Sequence, residues 1–243
     1  MEWQEPGIIL GTRKLGEGSV IVEIFTLEHG RHMGVVRGGR GSRMRSILQP
    51  GNRVFATWRA RLSDHLGQFK LEPDQLDAAL FMDDRLRLLG LNQLNEQVRL
   101  LAEREPHPDL FVRYKFMLDT VLEGENWAKY LVAWEVNMLQ ELGFGLDLSA
   151  CAATGDTKDL VYVSPKTGRA VSREAGLPYH DRMLILPKFL REDTEPDAAE
   201  LRAGFALTDF FLLREIYNPR QIDPSIVREQ LVDKLCALAK NAA

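Results

Sequence analysis

Eight arginines stand between positions 31 and 61: Arg31, Arg37, Arg40, Arg43, Arg45, Arg53, Arg59 and Arg61. No Lys, Asp or Glu interrupts them. A guanidinium is planar, always charged and donates in pairs, so it suits phosphate oxygens better than an ammonium does. The chain as a whole points the other way. Its 31 Lys+Arg against 35 Asp+Glu leave a net charge of −4, and an acidic total normally argues against a nucleic-acid partner. The charge is segregated, however. Met1–Asp77 holds eleven bases and nine acids, so that segment is +2 and the remainder −6. Scattered surface arginines alone would not explain why the acids are missing from 31–61.

Alternation in Arg53–Arg61 gives these side chains a geometry, because neighbours along a strand point to opposite faces. Val54, Ala56, Trp58 and Ala60 form an apolar row, expected in the core. Arg53, Phe55, Thr57, Arg59 and Arg61 form the other row. Charge for the backbone beside a ring for a base is the combination that binds single-stranded nucleic acid. Two readings are open for Phe55: a stacking platform, or packing against a neighbouring loop.

Other chemistry is poorly represented. There is no Walker, zincin or serine-hydrolase motif. His29 and His32 are three apart without a third ligand nearby. Asp83 and Asp84 are adjacent carboxylates at an expected helix start, where negative charge suits the helix dipole. Of the two cysteines, Cys236 lies in an apolar helical run. Cys151 opens a frame with zinc-ribbon spacing whose other three positions are Thr154, Ser172 and Ala175. One thiolate cannot hold zinc tetrahedrally, so no metal is expected there, and no cofactor elsewhere.

The elements that must position these residues fall into three regions. Residues 6–72 read as five short strands punctuated by turns at 15–18, 28–31 and 50–52, consistent with a small closed barrel such as an OB-fold. The Gly-rich 38–43 stretch reads as irregular. Helical spacing begins at Leu76. It includes a stripe of Trp127, Leu131, Trp134 and Met138 before Gly143, a C-cap signal. Residues 147–190 are mixed, and 198–217 and 224–240 return to helix. The expected fold class is α+β. A five-stranded OB barrel at 1–78, the expected nucleic-acid-binding domain, is expected to precede a mainly helical domain at 79–243, with 147–190 as a degenerate zinc-knuckle-like insertion. No apolar run approaches the roughly 20 residues of a membrane span. The acidic start carries no signal-peptide pattern, so a soluble cytoplasmic protein is expected.

These features carry a resemblance. Gly7-Ile8-Ile9-Leu10-Gly11-Thr12-Arg13-Lys14-Leu15-Gly16-Glu17, Phe25-Thr26 through Gly30, and Gly34-Val35-Val36-Arg37-Gly38 resemble the opening strands of the RecO family of bacterial recombination mediators. Leu48-Gln49-Pro50-Gly51-Asn52, Trp58-Arg59-Ala60-Arg61, Glu141-Leu142-Gly143-Phe144, Cys151 and Tyr162-Val163-Ser164-Pro165-Lys166-Thr167-Gly168 extend it in order. The resemblance implies an OB-fold, a helical region and, in many members, a zinc module from whose four-Cys pattern this chain departs at three positions. It implies binding of single- and double-stranded DNA, annealing of complementary strands and no covalent chemistry. It also implies work with RecR, and RecF, in loading RecA onto strands coated by single-strand binding protein, whose acidic C-terminal tail is a further expected partner. The expected DNA contacts are the eight arginines and Phe55. Two alternatives belong to other classes: a metal-dependent DNA-processing enzyme, and an RNA-binding OB-fold protein.

Overall fold

A computed structural model describes residues 1–124, 126–223 and 226–241. Five strands open the chain: β1 (Glu2–Leu15), β2 (Ser19–Thr26), β3 (Gly30–Val36), β4 (Arg53–Arg59) and β5 (Gln68–Gln75). They close into a barrel in the order β1-β2-β3-β5-β4. β1 makes closure possible because it is long enough for two partners. Its first half pairs with β4 (Glu2 opposite Arg59 through Ile8 opposite Arg53) and its second half with β2 (Gly7 opposite Thr26 through Leu15 opposite Ser19). A bulge between Ile9 and Gly11 bends the strand from one partner toward the other. A parallel bridge between Val35 and Gln68 completes the ring. The architecture is compatible with an OB barrel.

The barrel is filled as alternation predicts. Ile9, Val22, Ile24, Val54 and Ala56 are fully buried, with Trp58, Phe69 and Leu71 nearly so. Each such aliphatic side chain is worth about 1.5–3 kcal/mol relative to exposure. The Gly-rich connection is more ordered than its composition suggests. A turn at 37–40 leads into a short helix, α1 (Ser42–Ile47). It forms because Met44, Ile47 and Leu48 pack against the barrel core.

Three further helices follow: α2 (Ala78–Met82), α3 (Arg85–Val98) and α4 (Pro108–Glu123). Asp84 caps α3, accepting from Arg87 N at 2.8 Å, so this carboxylate is a helix cap. These helices belong with the barrel. Asn95 donates to Leu10 O at 3.3 Å, and Phe111 and Tyr114 pack edge-on against Phe25. The chain accordingly divides into two compact units, Met1–Gly124 and Glu125–Ala243. The seam in packing falls after α4.

The second unit starts with α5 (Ala128–Glu141), where Trp127, Leu131, Trp134 and Met138 are all buried. A three-stranded sheet of order β7-β6-β8 follows, from β6 (Leu160–Val163), β7 (Ala170–Ser172) and β8 (Leu184–Ile185). Between β7 and β8 lie α6 (Arg173–Gly176) and a 3₁₀ segment, Leu177–Arg182. α7 (Ala198–Phe211) is capped by Asp197 and runs through a π-helical stretch, Leu212–Tyr217, into α8 (Asn218–Arg220). α9 (Ile226–Asn241) closes the unit; positions 224 and 225 of the expected last helix lie outside the described residues. Buried Glu135 of α5 is held by Arg228 of α9 and Thr208 of α7, whose hydroxyl donates at 2.6 Å.

Candidate nucleic-acid interface

The outer face of β1, β4 and β5 is a grid whose rows are set by register. Counting from the start of β4, the rows are Ile8, Arg53 and Gln75; then Pro6, Phe55 and Glu72; then Gln4, Thr57 and Lys70; then Glu2, Arg59 and Gln68. Successive rows are about 7 Å apart, two residues of strand rise. An open groove of about 540 Å³ occupies the far rows. Gln4, Thr57, Arg59, Ala60, Arg61, Gln68, Phe69 and Lys70 line it.

Three cations meet there. Arg59 is joined to Glu2 at 2.7 Å and Lys70 to Glu72 at 2.8 Å, with all four side chains largely exposed. Hydrogen bonding to Glu2 raises the Arg59 guanidinium above its usual range, and bonding to Lys70 holds the Glu72 carboxyl below its own. Exposed pairs of this kind are weak, so an incoming phosphate can exchange for either carboxylate. Phe55 stands one row behind, 41% exposed between Pro6 and Glu72. A ring at that exposure is accessible to solvent and does not line the groove.

The turn into β5 fixes this end of the face. Gly67 takes a φ of +66°, and a Cβ there would come within 2.5 Å of the Trp58 ring. Glycine lets the chain close over Trp58, whose Nε1 donates to Leu66 O at 3.1 Å. That holds Trp58 inside the barrel and leaves its neighbours Arg59 and Arg61 outside.

The other expected contacts separate into two groups. Arg53 is a correction to the exposed row, and Arg31 is held in an ion pair away from the first groove. Arg53 is buried, with Nε 3.7 Å from Asp77 and Nη2 bonded to Asp119 of α4. The strand alternation is intact, but α4 covers that end of the face. Arg31 is bound to Glu23 at 2.6 Å and donates to Leu101 O at 3.1 Å. Arg37, Arg40, Arg43 and Arg45 are exposed. Arg37 follows Val35, whose bridge partner Gln68 lines the groove. Arg40 donates to Glu17 O at 2.7 Å, and Arg43 and Arg45 stand on α1. None of these four lines the groove. Lys70, Gln4 and Gln68 do, and residue types alone did not single them out. Their position follows from cross-strand register.

In the second unit the structure brings three of the four degenerate ligand positions together. Cys151 Sγ lies 3.4 Å from Ser172 Oγ and accepts from Ser172 N at 3.3 Å. Burial would raise this thiol, but hydrogen bonds from the Ser172 and Thr154 hydroxyls and the Ser172 and Ala153 N–H groups outweigh it and lower it to about 6. Ala175 has no donor atom. One sulfur already surrounded by hydrogen-bond donors does not fit a tetrahedral zinc site. A zinc-knuckle-like segment is not shown, and among the described residues no three His, Cys, Asp or Glu side chains group as metal ligands. Nor is any described helix long and apolar enough to cross a membrane.

Two family models match the chain: recombination protein O N terminal over residues 1–73, and recombination protein O C terminal over residues 82–221. The chain is 51% identical over 222 residues to the DNA repair protein RecO of Chelativorans sp. (strain BNC1), with 90% of each chain covered. It is 49% identical over 247 residues to the DNA repair protein RecO of Rhodopseudomonas palustris (strain HaA2), covering 100% of this chain and 98% of that one. The DNA repair protein RecO of Mesorhizobium japonicum (strain LMG 29417 / CECT 9101 / MAFF 303099) is 47% identical over 245 residues, covering 100% and 96%.

Proposed function

The chain belongs to the RecO family of DNA repair proteins, and from that premise we propose that it is a recombination mediator. In this reading it binds single- and double-stranded DNA without reading sequence and pairs complementary strands, with no covalent step. The observation that carries the reading is the groove on β4 and β5, where Arg59, Arg61 and Lys70 converge beside Phe55.

The mechanism follows from what those residues can do. Each phosphate met by Arg59, Arg61 or Lys70 releases condensed counterions, so binding is driven by the entropy of their release and needs no base contacts. Gln4, Gln68 and Thr57 add neutral polar groups that suit phosphate and sugar oxygens. Phe55 takes a base face of any identity. Cations held on a rigid barrel lower the repulsion between two strands and so favour their pairing.

The partner chemistry is consistent with other faces. Val112, Lys115 and Phe116 share one side of α4 by their i, i+3, i+4 spacing, with Val112 60% and Phe116 50% exposed and Arg113 adjacent. A partly apolar face flanked by bases suits the acidic tail of single-strand binding protein. RecR, and through it RecF and RecA, enter as partners on the family premise alone.

The test is an annealing assay with two labelled complementary strands in Mg²⁺. Faster pairing with both strands intact is expected, together with co-purification of RecR and single-strand binding protein. Cleavage of the strands, or pairing no faster than without protein, would overturn the reading. RNA strands of the same sequence, if bound much more tightly than DNA, would favour an RNA-binding role instead.

A further inference from the structure

A second groove, of about 330 Å³, lies on the outer face of β1, β2 and β3, where the first groove's residues play no part. Gly11, Thr12, Arg13, Ile21, Glu23, Arg31, Met33 and Arg99 line it. Two guanidinium groups converge on one carboxylate: Arg31 Nη1 reaches Glu23 Oε1 at 2.6 Å and Arg99 Nε reaches Oε2 at 2.8 Å. Arg13 stands beside them, exposed, its recorded partner being the Met33 sulfur at 3.7 Å.

The arrangement is built rather than scattered. Arg99 lies across β1 and donates to Leu10 O at 2.7 Å, which it can do because position 11 is glycine; a Cβ there would sit 2.5 Å from Arg99 Nη2. Arg31 is anchored likewise on Leu101 O. Both are thereby fixed in place, and Glu23 cancels only one of the three charges. The surplus is +2 over an apolar floor of Ile21 and Met33. Such a surface is complementary to a phosphodiester backbone, with the floor able to take a sugar or base.

We propose that this groove is a second nucleic-acid site, which holds a second strand while the β4–β5 groove holds the first. This rests on the reading of the first groove given above. β1 is the shared wall: Gln4 lines one groove and Arg13 the other, nine residues or about 30 Å of strand away. The barrel order sets β4–β5 and β2–β3 on opposite sides of β1. Sites so separated accept two short strands at once, the condition that annealing requires.

The test counts oligonucleotides on the full chain. Native mass spectrometry with an eight-nucleotide thymidine strand should show two bound per protein. Arg13→Glu should leave one, the triple variant Arg59→Ala/Arg61→Ala/Lys70→Ala should leave one, and their combination none, each variant being checked for a cooperative thermal transition. Glu23→Gln, which removes the carboxylate competing for Arg31 and Arg99, should tighten the second binding; loss of a merely structural group would not tighten it. One oligonucleotide on the wild type, or two on Arg13→Glu, overturns the second site. Should the triple variant keep two while Arg13→Glu keeps one, the second site stands and the first-groove reading fails. Arg13-dependent binding of a polyglutamate peptide with no oligonucleotide bound would mark the groove as a protein-binding site and overturn the proposal.

Discussion

Arg53 of β4 and Asp77, just ahead of α2, face each other inside the first unit, Nε to Oδ2 at 3.7 Å, both side chains at most 10% exposed. The same guanidinium also bonds Asp119 of α4. One cation therefore ties barrel to helices and is shared by two carboxylates. Arg53→Ala strands Asp77 in a desolvated site, where losing one partner of a buried pair costs about 3–5 kcal/mol. Denaturant unfolding should show that loss. Folded Arg53→Ala protein should keep most of its single-strand affinity, because the arginine is an internal strut.

A second buried ion pair sits in the other unit. Arg228 and Glu135 are 5% and 0% exposed, and Thr208 and Asp209 complete the arginine's partners. Arg228→Leu should lower stability by about 3–5 kcal/mol. The double variant Arg228→Leu/Glu135→Leu should recover a good part of that, giving a coupling of about 1–3 kcal/mol. Additive losses in a double-mutant cycle would contradict the pairing.

His32 should give the first unit an acid limb. It is 3% exposed among Trp3, Trp58 and Phe69, and neither ring nitrogen has a partner. Burial, with Arg104 and His29 adding repulsion, lowers it to about 4. Between its ordinary value near 6.5 and about 4 the unfolded chain binds a proton that the folded chain refuses. Stability should therefore fall as pH drops through that window, by up to about 1.4 kcal/mol per pH unit from this group. Thermal melts of the wild type and His32→Phe should diverge below pH 6.5 and run parallel above it.

Cys151 works with the opposite charge. Its thiol is lowered to about 6, against about 8.5 for a free cysteine. The folded form holds a thiolate that the unfolded chain protonates, so the stabilisation is complete above about pH 8.5 and is lost as pH falls through about 6. The stability advantage of the wild type over Cys151→Ala should grow between pH 6 and pH 8.5. A chelator should leave the melting temperature unchanged; a large drop would reveal a metal that these donors are not suited to hold.

Local patterns made some of this legible. The alternation of Val54, Ala56 and Trp58 fixes which face of β4 is core, and the 4, 3, 4 spacing from Trp127 to Met138 fixes the buried side of α5. Tertiary contact decides the rest. Arg53 and Arg59 share one row by parity, and only the approach of Asp119, 66 residues on, seals one and leaves the other open. Lys70 joins Arg59 through the β4–β5 register, which no local pattern encodes. Arg99 joins Arg13 because α3 docks on β1. The Gly-rich stretch before α1 hides a helix, because Met44, Ile47 and Leu48 find their packing only against the closed barrel.

The central claim is that the β4–β5 groove holds the DNA backbone. Its most direct test is the affinity for a short single strand measured across a range of salt for the wild type and for Arg59→Ala/Arg61→Ala/Lys70→Ala. Each lost phosphate contact should flatten the log–log slope by about 0.7, so three should flatten it by about 2, with weaker binding at low salt. The same affinity and the same slope in a folded triple variant would contradict the account.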